Sequence, residues 1–389
     1  MTSTSNSADK LSGEQTSFHE WDASGWTPEK RSVFDYGYVT RGQTIGCTRE
    51  ELIRAAGWRG ASQISLAWTP ETPQPVPPEK IPLLLEAFRR VAIKEARKNI
   101  FWGVGLIAFG IILALVVGDW KYLYLNILSV FGALALIEGV WGLWSRRDYK
   151  QENAEADVSS QRFDAWINSR HISGYTFMLC ACIVVVGAAQ LFSGDVDSIQ
   201  RAGLVKPAVW SGQWWRLFTA CLMHVSFMHF WMNFLVLLHF ARIVEGLIHR
   251  AYVPLLFLIS GACGSLFSLV LYPHTTSVGA SGGIMGLLGF VTVAAYTDGK
   301  KFPPKYLRRS IEAIVFIAVF GLIGFAFIDN AAHLGGLCAG LAIAWVFRPD
   351  KEKGGSRRAI ANISVISILA LIVLGVISGV AVMKIVAFF

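Results

Sequence analysis

The chain has 389 residues, of which 53% are hydrophobic and only 16% charged, with a mean hydropathy of +0.47. That composition excludes an ordinary soluble globular protein and indicates a polytopic membrane protein. A net charge of +8 could signal nucleic acid as a partner, but the basic residues flank apolar runs, so the charge reads as a topology signal and no nucleic-acid role is expected.

Residues 1–98 are polar and mixed in charge. They show no basic-then-apolar start and no small-residue cleavage site, so no removed signal peptide is expected and the amino terminus is placed in the cytoplasm. Thr48 followed by Glu51 has the spacing of a helix capping box. The proline-rich stretch from Thr69 to Pro82 reads as a linker. The basic segment Lys80 to Lys98 is expected to form a helix lying on the anionic inner leaflet.

A membrane span needs about 20 apolar residues, and nine segments qualify: 99–118, 122–144, 172–194, 229–248, 252–272, 280–297, 311–328, 331–347 and 361–386. Arg89, Arg90, Lys94, Arg97 and Lys98 precede the first; Arg146, Arg147 and Lys150 follow the second. Lys300, Lys301, Lys305, Arg308 and Arg309 follow the sixth, and Arg348, Lys351, Lys353, Arg357 and Arg358 follow the eighth. Connections 273–279 and 329–330 carry no Lys or Arg, which places them outside and the basic connections in the cytoplasm. With an odd number of spans the carboxyl terminus also ends outside. The expected location is a bacterial inner membrane.

Within the second span, Glu138 is expected to snorkel to the inner surface or to meet a partner helix. The long outer connection from Ser193 to about Met228 holds Trp210, Trp214 and Trp215, a composition suited to a structured interfacial loop. Cys180 and Cys182 lack the spacing of a redox or zinc pair, and the cysteines are read as small hydrophobes.

Under this topology Ser281, His333, His229 and Asn233 share one depth at the outer ends of their spans. Polar groups at such positions are functional candidates because they cost free energy in hydrocarbon. A serine hydroxyl becomes a useful nucleophile only when a base takes its proton, and a neutral imidazole is the usual base near pH 7. Ser281 and His333 fit those parts. His229 and Asn233 are four apart, on one helix face, and with the Ser281 backbone N–H they could hold an oxyanion. Gly279, Gly282, Gly283, Gly286 and Gly289 line the serine helix and Gly335, Gly336 and Gly340 the histidine helix, so the two backbones can approach closely. His224, His239, His249 and His274 read as packing or interface residues.

These residues resemble the rhomboid family of intramembrane serine proteases over roughly residues 172–348. Gly212-Gln213-Trp214-Trp215-Arg216 resembles the family's Trp-Arg loop signature, and His229 to Asn233 its His-x-x-x-Asn signature, with His224 at family spacing before it. Gly279-Ala280-Ser281-Gly282 resembles the nucleophile motif, and Ala332-His333 with Gly336 and Gly340 the general-base helix. The resemblance implies an all-α polytopic membrane protein with a six-helix core, here extended by one carboxyl-terminal and two amino-terminal transmembrane helices. It further implies a Ser281–His333 dyad without a third carboxylate, no metal and no cofactor, cutting membrane-anchored protein substrates in the lipid bilayer near the outer surface. Met285 stands where several members carry an aromatic residue, so altered geometry or rate is expected before loss of activity. Trp215 and Arg216 are expected to structure their loop. Glu245, also at a family position, is expected to be structural and paired with Arg242 or His249.

The implied organisation is a cytoplasmic region 1–98, two added spans in 99–144, a cytoplasmic connector 145–171, the core 172–348, and a basic loop with a last span in 349–389. Two other readings remain. A non-catalytic rhomboid-like protein that binds membrane clients is expected to lack Ser or His, and both are present. A transporter is expected to show internal repeats, and none is evident.

Overall fold

The computed structural model describes residues 34–387 apart from 41–42, 59–62, 73, 119–126, 248, 324–327 and 347–356. The last set contains Arg348, Lys351 and Lys353, which therefore lie outside the described residues. The chain divides into two compact units, residues 1–166 and 167–389.

In the first unit, β1 (Tyr36–Thr40) pairs antiparallel with β2 (Gln43–Cys47) and with β3 (Leu66–Trp68), giving the order β2-β1-β3. Helix α1 (Arg49–Trp58) begins at the expected capping box: Thr48 N donates to Glu51 Oε2 at 2.8 Å and Glu51 N donates to Thr48 Oγ1 at 3.3 Å. Two orphan donors of the first turn are thereby satisfied reciprocally. Leu52, Ala56, Ile81, Leu84 and Phe88 form a buried apolar cluster beside the sheet.

The stretch from Thr69 to Pro82 is not a linker. Ala67 and Val76 exchange backbone hydrogen bonds of 2.8 and 2.9 Å, Pro78–Lys80 and Pro82–Leu84 form 3-10 turns, and Ile81 and Leu84 are buried. The prolines supply preset φ angles for short turns, and the apolar residues between them anchor the turns in the core. Arg162 clamps the same region, donating to Glu79 Oε1 at 3.0 Å and to Ile64 O at 2.8 Å.

The basic segment to Lys98 does not form a separate surface helix either. From Leu85 it is the first part of α2 (Leu85–Val117), 33 residues long. At 1.5 Å per residue that is about 50 Å, longer than a hydrocarbon core of about 30 Å. The helix thus continues from its basic end into its apolar end without a break. It packs against α3 (Ile127–Ser145) through small residues: a Cβ on Gly103 would fall 2.6 Å from Leu136 N, and one on Gly139 2.6 Å from Ala96 O. Helix α4 (Gln151–Ser169) follows.

In the second unit, α5 (Gly174–Ser193) leads into α6 (Asp195–Ala202), β4 (Leu204–Val205), α7 (Lys206–Trp210) and α8 (Arg216–Thr219). The connection from Ser193 to Met228 is therefore structured. Then come α9 (Phe227–Leu247), α10 (Tyr252–Leu271), β5 (Thr276–Ser277), α11 (Ser281–Thr297), α12 (Tyr306–Ile323), α13 (Asn330–Val346) and α14 (Arg357–Val386). β4 and β5 form a short antiparallel pair, Leu204 opposite Ser277.

Each of the nine apolar segments overlaps a helix among the described residues, and the chain is an all-α polytopic membrane protein. Among the described residues five helices are long and apolar enough to cross a membrane, and α11 and α13 are apolar helices of 17 residues. The last helix, α14, is tied to the others by Ser367 Oγ, which donates to Ala251 O, and by Arg201 Nη1, which donates to Ile385 O at 2.8 Å.

Glu245 on α9 is structural, but its partners are not Arg242 or His249. Its carboxylate caps α5, accepting from Ser173 N at 3.0 Å, Ser173 Oγ at 2.5 Å and Thr176 Oγ1 at 2.5 Å. A carboxylate at a helix amino terminus also meets the positive end of its dipole. Glu245→Ala strands these donors and is expected to cost about 2–3 kcal/mol, read as a lower unfolding midpoint in detergent, with Glu245→Gln recovering part of the loss.

Candidate active site

Helices α10, α11 and α13 meet almost backbone to backbone. A Cβ on Gly336 would fall onto the carbonyl oxygen of Gly282, and one on Gly340 onto that of Gly286. The matching four-residue steps mean that α11 and α13 run parallel. Helix α10 runs opposite to both: a Cβ on Gly264 would lie 2.6 Å from Ala332 O and 3.4 Å from Gly282 Cα. Small residues permit this approach, and it brings the first turns of α11 and α13 to one end of the bundle.

Ser281 is the first residue of α11, so its backbone N–H has no acceptor within the helix. The preceding Gly279 has φ of 143°, in the region that favours glycine. A Cβ there would lie 3.0 Å from His229 Cε1, 3.4 Å from His229 Nε2 and 3.7 Å from Ser281 Oγ. The imidazole of His229 and the hydroxyl of Ser281 therefore flank the same glycine.

His333 lies in the first turn of α13, three residues before Gly336 and so near Gly282, the neighbour of Ser281. Nδ1 of His333 and Nδ1 of His229 are buried without a hydrogen-bond partner. Asp329, one turn before His333, does not orient that ring. Its Oδ1 accepts from Ala332 N at 2.9 Å and its Oδ2 from Ser268 Oγ, capping α13.

Asn233 is 9% exposed and donates Nδ2 to His229 O at 2.9 Å. An amide nitrogen carries two N–H groups, so one donor remains for a ligand. Met285 is buried in α11.

Trp215 and Arg216 act on their loop instead of on the serine. Arg216 is buried, donates to Gly203 O at 2.6 Å and to Gln213 Oε1 at 2.7 Å, and places its guanidinium 4.8 Å from the Trp215 ring centroid. Lys384 of α14 lies 5.8 Å from the same ring.

His224, read as a packing residue, is buried and packs against His229 and Phe230. Its ring stands 5.2 Å from that of His229, edge to face, and neither ring nitrogen has a partner. Burial pushes its imidazole down to about 3, with His229 beside it as the second cause. The ring is thus neutral at pH 7. Gln190 of α5 fixes the backbone here, accepting from His224 N and donating to His224 O, both at 2.9 Å. A glutamine within an otherwise apolar span was the available signal.

Ser281 thus begins α11 with the His229 imidazole against the preceding glycine, in a multi-pass membrane protein. A family model for the rhomboid domain matches residues 211–350. Rhomboid protease GluP of Bacillus subtilis is 31% identical over 161 residues, covering 40% of this chain and 31% of that protein. The rhomboid-family protein YdcA of the same organism is 30% identical over 144 residues, covering 37% of this chain and 72% of YdcA. Inactive rhomboid protein 1 of Papio anubis is 26% identical over 139 residues, covering 35% of this chain and 16% of that protein. The chain belongs to the rhomboid family. Its matches span about a third of GluP and about half of the mitochondrial RHOMBOID-like protein 6 of Arabidopsis thaliana.

Proposed function

We propose that this protein is an intramembrane serine endopeptidase in which Ser281 attacks the scissile carbonyl and His333 accepts the proton and returns it to the leaving amine. The observation that carries this reading is the glycine-mediated contact of parallel α11 and α13, which puts Ser281 and His333 at one end of the bundle with His229 against Gly279. The Ser281 N–H, His229 and the free Asn233 donor hold the oxyanion. Residues 172–348 are the catalytic core, and 99–144 and 349–389 are additions to it.

Substrates are membrane-anchored proteins whose spanning segments unwind readily, because a helical peptide bond is shielded until its segment is extended. The positive-inside distribution supports a cytoplasmic amino terminus and a cut near the outer face. The test is cleavage of a single-span substrate by purified protein in lipid, with product mass locating the cut. His229→Ala is expected to lower kcat by about 100-fold with KM nearly unchanged, as for loss of one oxyanion donor; a change in KM alone would assign His229 to substrate binding.

The match to a relative named as inactive supports one other reading, a client-binding protein without catalysis. Binding of spanning segments without any cut by the wild type would favour it.

A further inference from the structure

Lys206 is completely buried, which for an ammonium group is costly unless its donors are taken up. The pairing of Leu204 with Ser277 and of Val205 with Thr276 brings it against β5. There its Nζ donates to Thr275 Oγ1 at 3.0 Å and to Ser277 Oγ at 2.6 Å. Ser277 Oγ lies 3.2 Å from Ser268 Oγ. The Ser268 hydroxyl has one proton and gives it to the Asp329 carboxylate, so Ser277 must donate to Ser268. Donation thus runs one way, from ammonium through two hydroxyls to carboxylate, the arrangement in which successive bonds polarise one another.

The far end of this chain is the first turn of the His333 helix. Asp329 accepts from Ala332 N through its side chain at 2.9 Å and from His333 N through its backbone oxygen at 3.1 Å. We propose that Lys206 is a positioning residue for His333, acting through Ser277, Ser268 and Asp329 to fix the first turn of α13. This rests on the serine-protease reading above, in which His333 must face Ser281. A displacement of about 1 Å at a reacting group can cost about 100-fold in rate.

The test uses the full chain in lipid. Lys206→Met is expected to lower kcat at least tenfold with KM within twofold, and to speed hydrogen exchange at the Ala332 amide. In an Asp329→Ala background the same change is expected to add nothing, because both substitutions cut one chain. Ser277→Ala, which leaves Lys206 its bond to Thr275, is expected to reproduce the kcat loss in a protein that keeps its unfolding midpoint. Independent, multiplying losses from Lys206→Met and Asp329→Ala would overturn the proposal, as would unchanged Ala332 exchange. Should the wild type cut no substrate, the protease reading fails together with the catalytic consequence, while faster Ala332 exchange in Lys206→Met would still uphold the physical link.

Discussion

Ser281→Ala is expected to reduce cleavage of a spanning substrate by at least about a thousandfold, because it removes the atom that forms the acyl bond. His333→Ala is expected to fall by a similar factor, since an unassisted serine hydroxyl is a poor nucleophile at neutral pH. The double variant should be no slower than either single one, as groups that act as a unit do not contribute additively. Substrate binding should survive in all three, for the substitutions remove reacting groups and leave the glycine contacts between α11 and α13 in place. Initial rates and substrate affinity measured in the same vesicles separate these outcomes. Additive losses would mean that His333 acts elsewhere than on Ser281.

Gly340→Val should be nearly as damaging, though it lies two turns from the chemistry. A Cβ at residue 340 would fall on the Gly286 carbonyl, whose carbon and Cα lie 2.6 Å away. These are backbone atoms, so no rotamer change relieves the overlap, and α13 must move away from α11. Overpacking of this kind costs about 1–3 kcal/mol and occasionally more, and here separation of the helices also carries His333 away from Ser281. We expect loss of most activity and a lower unfolding midpoint. Gly375→Ala in α14 is the control, because a Cβ there meets nothing within 4 Å and Ala is the better helix former. A Gly340→Val protein with full activity would show that the close helix contact is not what brings the dyad together.

Much of this was visible in the chain itself. Long apolar runs bounded by Lys and Arg are satisfied in lipid as helices, so the helices over the nine apolar segments were legible, five of them long and apolar enough to cross a membrane among the described residues, and Thr48 with Glu51 marked a helix start to the residue. Ser281, His229, Asn233 and His333 were legible as polar groups at the ends of apolar runs. What escaped was set by pairings distant in sequence. The prolines between Thr69 and Pro82 resemble a linker until the core that receives Ile81 and Leu84 is known. Glu245 has cationic or ionisable neighbours at helical spacing, yet its donors lie some 70 positions earlier in the chain. Nothing local distinguishes Lys206 from a surface lysine; only the β4–β5 pairing buries it. The glycine stripes announced close packing, but not which glycine meets which carbonyl.

The most direct test of the Ser281–His333 assignment is covalent labelling by a fluorophosphonate, which forms a stable ester only with an activated serine. Peptide mass analysis of the purified protein in lipid should find the adduct on Ser281 in the wild type, and none in His333→Ala over the same interval. An unlabelled wild-type Ser281, or labelling undiminished by His333→Ala, would contradict the account.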